Sequence, residues 1–94
     1  MKLTGTIWLE EIVEKIVRKH HVSREEVREI LKTSSHFRFI EKGHRPGENV
    51  YSALGQTSNG RYLIVFFVRK KTRQALPISA RDMTRAERRR YEKK

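Results

Sequence analysis

Six basic side chains and no acidic one lie between residues 61 and 81: Arg61, Arg69, Lys70, Lys71, Arg73 and Arg81. Arg85, Arg88 and Arg89 follow, and Lys19 stands next to His20 far upstream. A guanidinium can grip a phosphate through two parallel hydrogen bonds, and an ammonium adds a point charge. With histidines available, such a set suits phosphodiester chemistry on RNA. There the substrate's own 2′-hydroxyl can be the nucleophile, so a protein need not supply one. It must orient the backbone, stabilise charge on the equatorial phosphate oxygens and manage two protons. Arginine serves the first two needs but not the third, because its pKa lies above about 12. The base must be a histidine, a carboxylate or a lysine with a lowered pKa.

Other chemistries find little support. The chain has no cysteine, which removes disulfides, thiolate nucleophiles and thiolate metal sites. His20 and His21 are adjacent, so their side chains diverge on a helix, and His36 and His44 stand apart as expected surface residues. Neither a metal nor a cofactor is expected. No Gly-rich phosphate loop occurs, and Ser79 lacks the flanking glycines of a nucleophile elbow. No apolar stretch approaches the roughly 20 residues of a membrane span, and Glu10 and Glu11 interrupt any early signal-like run. The expectation is one soluble, cytoplasmic domain over residues 1–94. Its net charge of +11 and pI near 10.6 point to a polyanionic partner. The charge is uneven: residues 61–81 carry +6 and residues 82–94 carry +3. A solvated surface explains mixed charge well and a one-sign block poorly.

These groups need positioning. Tyr62 to Val68 is an unbroken apolar run, rich in β-branched and aromatic residues and bounded by turn signals. It reads as a central strand buried on both faces. Ser58-Asn59-Gly60 and Lys70-Lys71 read as hairpin connections, giving an antiparallel meander of strands at 50–57, 61–69 and 72–80. Phe37 and Phe39, alternating with polar residues, suggest a short fourth strand, and 43–47 a turn or mobile loop. Pro77 lacks a ladder donor and predicts an edge position or a bulge.

Upstream, Leu9, Ile12, Val13, Ile16 and Val17 share one helical face over about 7–20, with Thr6 a candidate N-cap. Ser23 and Glu26 form a capping box for a second helix at about 24–33. Thr84 and Glu87 repeat that pattern for a short helix at 85–92, on which Arg85, Arg88 and Arg89 share a face. The fold class is therefore α+β in the order α-α-β-β-β-β-α, with one antiparallel sheet of three to four strands.

Three stretches carry a family resemblance. Gly55-Gln56-Thr57-Ser58-Asn59-Gly60-Arg61 precedes the apolar strand, Ile78-Ser79-Ala80-Arg81 ends the next, and Thr84-Arg85-Ala86-Glu87-Arg88-Arg89-Arg90-Tyr91 closes the chain. In this order they resemble the BrnT family, with its "ALGxTxxGR" stretch, "ISAR" box and "TRxERRxYE" helix. Trp8 and the segment Arg18-Lys19-His20-His21-Val22-Ser23 resemble that family's early Trp and "KHGVSF" segment. His21 stands where the family has glycine, which is tolerable because histidine accepts the left-handed conformation better than most residues. The resemblance implies a RelE-like ribonuclease toxin of a bacterial toxin–antitoxin pair, with a BrnA-like ribbon–helix–helix antitoxin as partner.

Each residue has a plainer reading beside it. Arg81 would contact phosphate, or pair with Glu87 or Asp82. Arg61 opens the central strand and could serve either end. Lys19 and His20 would handle protons, or merely complement the helix dipole. Arg69, Lys70, Lys71, Arg73, Arg85, Arg88 and Arg89 would bind RNA, or form solvated faces. Trp8 and Tyr91 read as core anchors ahead of base-stacking platforms. At the level of function, a non-catalytic basic RNA-binding module or degenerate toxin on the same fold is the alternative to an endoribonuclease.

Overall fold

In a computed structural model, which describes residues 1–93, the chain forms three helices and one five-stranded sheet. The elements are β1 (Gly5–Thr6), α1 (Glu10–His20), α2 (Arg24–Thr33), β2 (His36–Glu41), β3 (Val50–Gln56), β4 (Tyr62–Arg69), β5 (Gln74–Asp82) and α3 (Arg85–Glu92). The sheet order is β1-β5-β4-β3-β2. The predicted meander is present with β4 inside it, and β2 pairs antiparallel with β3.

The sheet is mixed, however, and not purely antiparallel. β1 pairs parallel to the start of β5, with Thr4 N donating to Arg73 O at 2.9 Å and Ile7 N to Ala75 O at 2.8 Å. The second bond commits Ile7, which the sequence places at the start of the first helix. α1 accordingly begins at Glu10, and its N-cap is Leu9, which has no side-chain cap, so Thr6 does not cap it. The last strand likewise begins at Gln74 and not at 72. Lys70 to Arg73 closes a turn, with Arg73 N bonded to Lys70 O at 2.8 Å and Arg73 in the left-handed region at φ 70°. At the other hairpin Gly60 takes the equivalent position, at φ 90°, without the steric cost a side chain meets there.

α1 lies along β5, and α2 crosses β3 and β4. Between them and the sheet sits the core: Ile16, Val22, Val27, Ile30 and Leu31 against Ala53, Leu63, Val65, Phe67 and Ala80. Each large side chain so buried contributes roughly 1.5–3 kcal/mol. The apolar stripe of α1 is wider than its contact, because α1 sits at the sheet margin: Leu9 and Val17 remain exposed. His21 ends α1 at φ 53°, ψ 36°, the left-handed geometry expected of it.

Pro77 is accommodated by a bulge. Phe66 pairs with Ser79 and Phe67 with Pro77, so Ile78 is the extra residue. Beyond the bulge, Ser79 and Arg81 pair with Phe66 and Ile64 on the face away from α1 and α2. Tyr62, Phe66 and Val68 are only partly buried, so the central strand is less enclosed than its composition predicts.

Candidate active site

At the end of β5 the chain turns directly into α3, and Thr84 caps that helix. Its hydroxyl accepts from Glu87 N at 3.1 Å, while Glu87 Oε1 accepts from Thr84 N at 2.8 Å. The same carboxylate receives Arg81: Nη1 donates to Oε1 at 2.8 Å and Nη2 to Oε2 at 2.9 Å. Arg81 Nη1 also donates to the carbonyl of Asp82 at 3.1 Å. The hydrogen bonds from Arg81, helped by Thr84 against the opposing effect of burial, lower the Glu87 pKa to about 2.

A guanidinium has five N–H groups, and three of those of Arg81 are engaged in these bonds. Nε and the adjacent hydrogen of Nη2 have no partner among the described residues, and together they form a second fork. The guanidinium carbon lies 5.6 Å from the centre of the half-buried Phe66 ring. α3 buries no side chain fully and is held by a few side-chain contacts along its length. Glu87 grips Arg81, and Tyr91 packs on His36 (ring centres 4.9 Å apart) and on Tyr62 (6.0 Å). His36 is thus half-buried against an aromatic ring, not the surface residue the sequence suggested.

Arg61 occupies the helix side of the same strand end. Its Nη1 donates to His21 O at 2.7 Å and to both Glu26 oxygens at 3.0 and 3.1 Å, and its Nη2 to Asp82 Oδ1 at 3.1 Å. Burial opposes its charge, but Asp82 and Glu26 outweigh this and keep the guanidinium ionised. Asp82 therefore links the two arginines, giving its carboxylate to Arg61 and its carbonyl to Arg81. Arg61 also ties the C-terminus of α1 to the start of β4. Just before that C-terminus, Lys19 and His20 face the bulge of β5 across a cavity of about 300 Å³, shared with Lys15 and Ser79. Among the described residues no group of three or more His, Cys, Asp or Glu side chains could hold a metal ion.

The remaining basic candidates are dispersed. Arg69, Lys70, Lys71 and Arg73 cluster at the opposite end of β4, roughly 23 Å away by strand length. Two of them are engaged: Lys70 pairs with Glu48 at 2.8 Å, and Arg69 Nη2 donates to Lys2 O at 3.3 Å. On α3, Arg85 and Arg89 are exposed, whereas Arg88 stacks over the Tyr62 ring at 3.8 Å and reaches Glu92 at 3.4 Å. The three do not form one free rail. Trp8 packs against the core as expected, with the guanidinium groups of Arg24 and Arg28 over its ring.

Lys15, Ser79 and Phe66 also neighbour this site, and none of them is among the candidates drawn from the sequence. Lys15 had a signal, since it precedes Lys19 by one helical turn. Phe66 had none, and Ser79 only its place beside Arg81 in the Ile78-Ser79-Ala80-Arg81 stretch, because their shared face depends on the bulge at Ile78.

The model of a protein family described as the ribonuclease toxin BrnT of type II toxin–antitoxin systems matches residues 8–87. The chain belongs to the BrnT family. The match spans Trp8, the Lys19-His20 segment, Arg61, the bulge, Arg81 and the capping box with Glu87, and stops before Arg88 and Tyr91. No curated protein matches the chain. No helix among the described residues is long and apolar enough to cross a membrane.

Proposed function

We propose that this BrnT-family chain is an endoribonuclease that cleaves RNA by attack of the 2′-hydroxyl on the adjacent phosphate, without a metal ion. The observation that carries this reading is the unpartnered fork of Arg81, Nε with Nη2, on a guanidinium already oriented by Glu87. A phosphate docking there would receive two parallel hydrogen bonds as negative charge grows on its oxygens. Lys19 and His20 lie on the helix side of β5 and Arg81 on the other, so the phosphate is taken at the edge of that strand, which β1 leaves unpaired beyond Ala75. There His20 takes the proton of the 2′-hydroxyl as the bond from O2′ to phosphorus forms. Lys19 protonates the 5′-oxygen as its bond to phosphorus breaks. Arg61 acts through position, holding the end of α1, and with it Lys19 and His20, against the strand end. Lys71, Arg73, Arg85 and Arg89 bind the flanking backbone by charge. The antitoxin is a BrnA-like ribbon–helix–helix protein, acidic where it meets residues 61–90.

The test is incubation of the purified chain with purified RNA in EDTA. Fragments ending in a 2′,3′-cyclic phosphate are the expected product. A second reading, a non-catalytic RNA-binding module, draws on the fact that Arg61 and Arg81 are both ion-paired. It predicts salt-sensitive binding and intact RNA in the same assay.

A further inference from the structure

The sheet face opposite α1 and α2 is organised in rows by its register. His36, Leu54, Ile64 and Arg81 form one, and Arg38, Ser52, Phe66 and Ser79 the next. Glu41, Val50, Val68 and Leu76 form a third. α3 crosses the first row, from Glu87 on Arg81 to Tyr91 on His36. Over the third row lies a pocket of about 460 Å³, floored by Val50, Val68, Leu76 and Ile78.

Its wall, residues 42–48, is anchored. Glu48 is buried and accepts from Lys70 Nζ at 2.8 Å and Lys71 N at 3.1 Å, which pins the segment to the β4–β5 hairpin. Glu48 N closes a turn on Arg45 O at 3.0 Å. A Cβ on Gly43 would collide with the carbonyl oxygen of Glu48, so the two ends of the wall touch backbone to backbone. The rim carries Lys42, His44 and Arg45, all exposed and none in an ion pair among the described residues. Glu41 is the rim's carboxylate without such a pairing.

We propose that this pocket is a nucleobase subsite, taking an unpaired base near the phosphate at Arg81 and favouring a base with an exocyclic amino group. The proposal rests on the ribonuclease reading above for its place in catalysis. The pocket's volume lies in the range of small-ligand sites, roughly 300–1,000 Å³. Its floor of aliphatic side chains suits the apolar face of a base, and its cationic rim suits the phosphates on either side. The carboxylate of Glu41 can accept from an amino group, as acidic side chains do from cytosine N4, and finds no such donor on uracil. Arg81 pairs with Ile64, four residues along β4 from Val68, so the two sites lie roughly 13 Å apart on one face. Phe66 sits between them. Single-stranded RNA lying along the face would meet Arg81, then the aromatic ring, then the pocket.

The experiment titrates AMP, CMP, GMP and UMP separately into the isotope-labelled full chain and follows backbone amide signals. The expected result is saturable shifts at Val50, Val68, Leu76 and residues 42–48, with UMP weakest by several-fold. Val50→Phe, which fills the floor, and Arg45→Ala, an exposed rim change, should each weaken binding, with thermal unfolding recorded for both. In parallel, cut sites are mapped on a random-sequence RNA pool. The parent should prefer one class of base at a fixed position beside the cut, and Val50→Phe should flatten that preference. No shift at the pocket amides at millimolar nucleotide overturns the subsite. So does an unchanged base preference in a folded Val50→Phe chain. UMP binding most tightly overturns the role of Glu41. Pocket shifts without any RNA cleavage would leave the subsite standing and remove the ribonuclease reading instead.

Discussion

Arg61 and Arg81 meet the same residue, Asp82, and use their donors differently. Arg61 directs its terminal nitrogens inward, to the carbonyl of His21, the carboxylate of Glu26 and the side chain of Asp82. Arg81 is held along one edge by Glu87 and keeps the other edge open. Arg61→Ala should therefore act mainly on stability. It leaves the Asp82 carboxylate and the His21 carbonyl without this donor and Glu26 with only the Ser23 amide, at a cost of about 2–3 kcal/mol after allowance for partial exposure. Chemical denaturation checks this, and an unchanged midpoint would show that the tie carries no weight. Of these roles, the sequence disclosed the candidates but not the division of labour. The partners of Arg61 lie 35 and 21 residues away in the chain, a distance over which no local pattern operates.

At the scale of elements, α3 depends on one carboxylate for both its cap and its clasp. Glu87 is depressed to about 2 from an ordinary 4.5. Its contribution is therefore complete above the ordinary value and is lost as pH falls from there through about 2. Glu87→Gln keeps a capping group but removes the charge that grips Arg81. At neutral pH it should destabilise the chain by about 2–3 kcal/mol and slow cleavage, because the free edge of Arg81 is no longer aimed. The stability gap between parent and variant, followed by thermal unfolding, should close between pH 4.5 and 2. A gap that persists at the acid end would mean that the clasp is not what Glu87 contributes.

Both capping boxes were legible as Ser23 with Glu26 and Thr84 with Glu87, since a box is a local pattern with its own hydrogen bonds. The central strand was legible from its apolar run, and Pro77 signalled either an edge position or a bulge, of which the chain takes the bulge. β1 was not, because two residues carry no periodicity and their pairing with Gln74 and Ala75 is long-range. Neither was the wall at 42–48. Gly43, Pro46 and Gly47 read as a loose turn, and only the burial of Glu48 against the distant hairpin shows that it is anchored.

Over the whole molecule, a net charge of +11 makes RNA binding salt-dependent whichever residues do chemistry. Arg85 and Arg89 point outward from α3, whereas Arg88 secures the helix to Tyr62. Removing Arg85 and Arg89 together should flatten the slope of log K against log salt by about 1.4, at roughly 0.7 for each contact with a single strand. An unchanged slope would mean that the outer face of α3 does not touch the backbone.

Stabilisation of the reacting phosphate by the second fork of Arg81 is tested most directly by Arg81→Lys. Lysine keeps a positive charge opposite Glu87, so α3 stays docked, but an ammonium cannot present a planar fork. Cleavage of RNA in EDTA should fall by about 10²–10³ in the folded variant, while RNA affinity stays close to that of the parent. Cleavage at the parent rate by folded Arg81→Lys would contradict the account, leaving Arg81 a structural partner of Glu87 and the chemistry elsewhere.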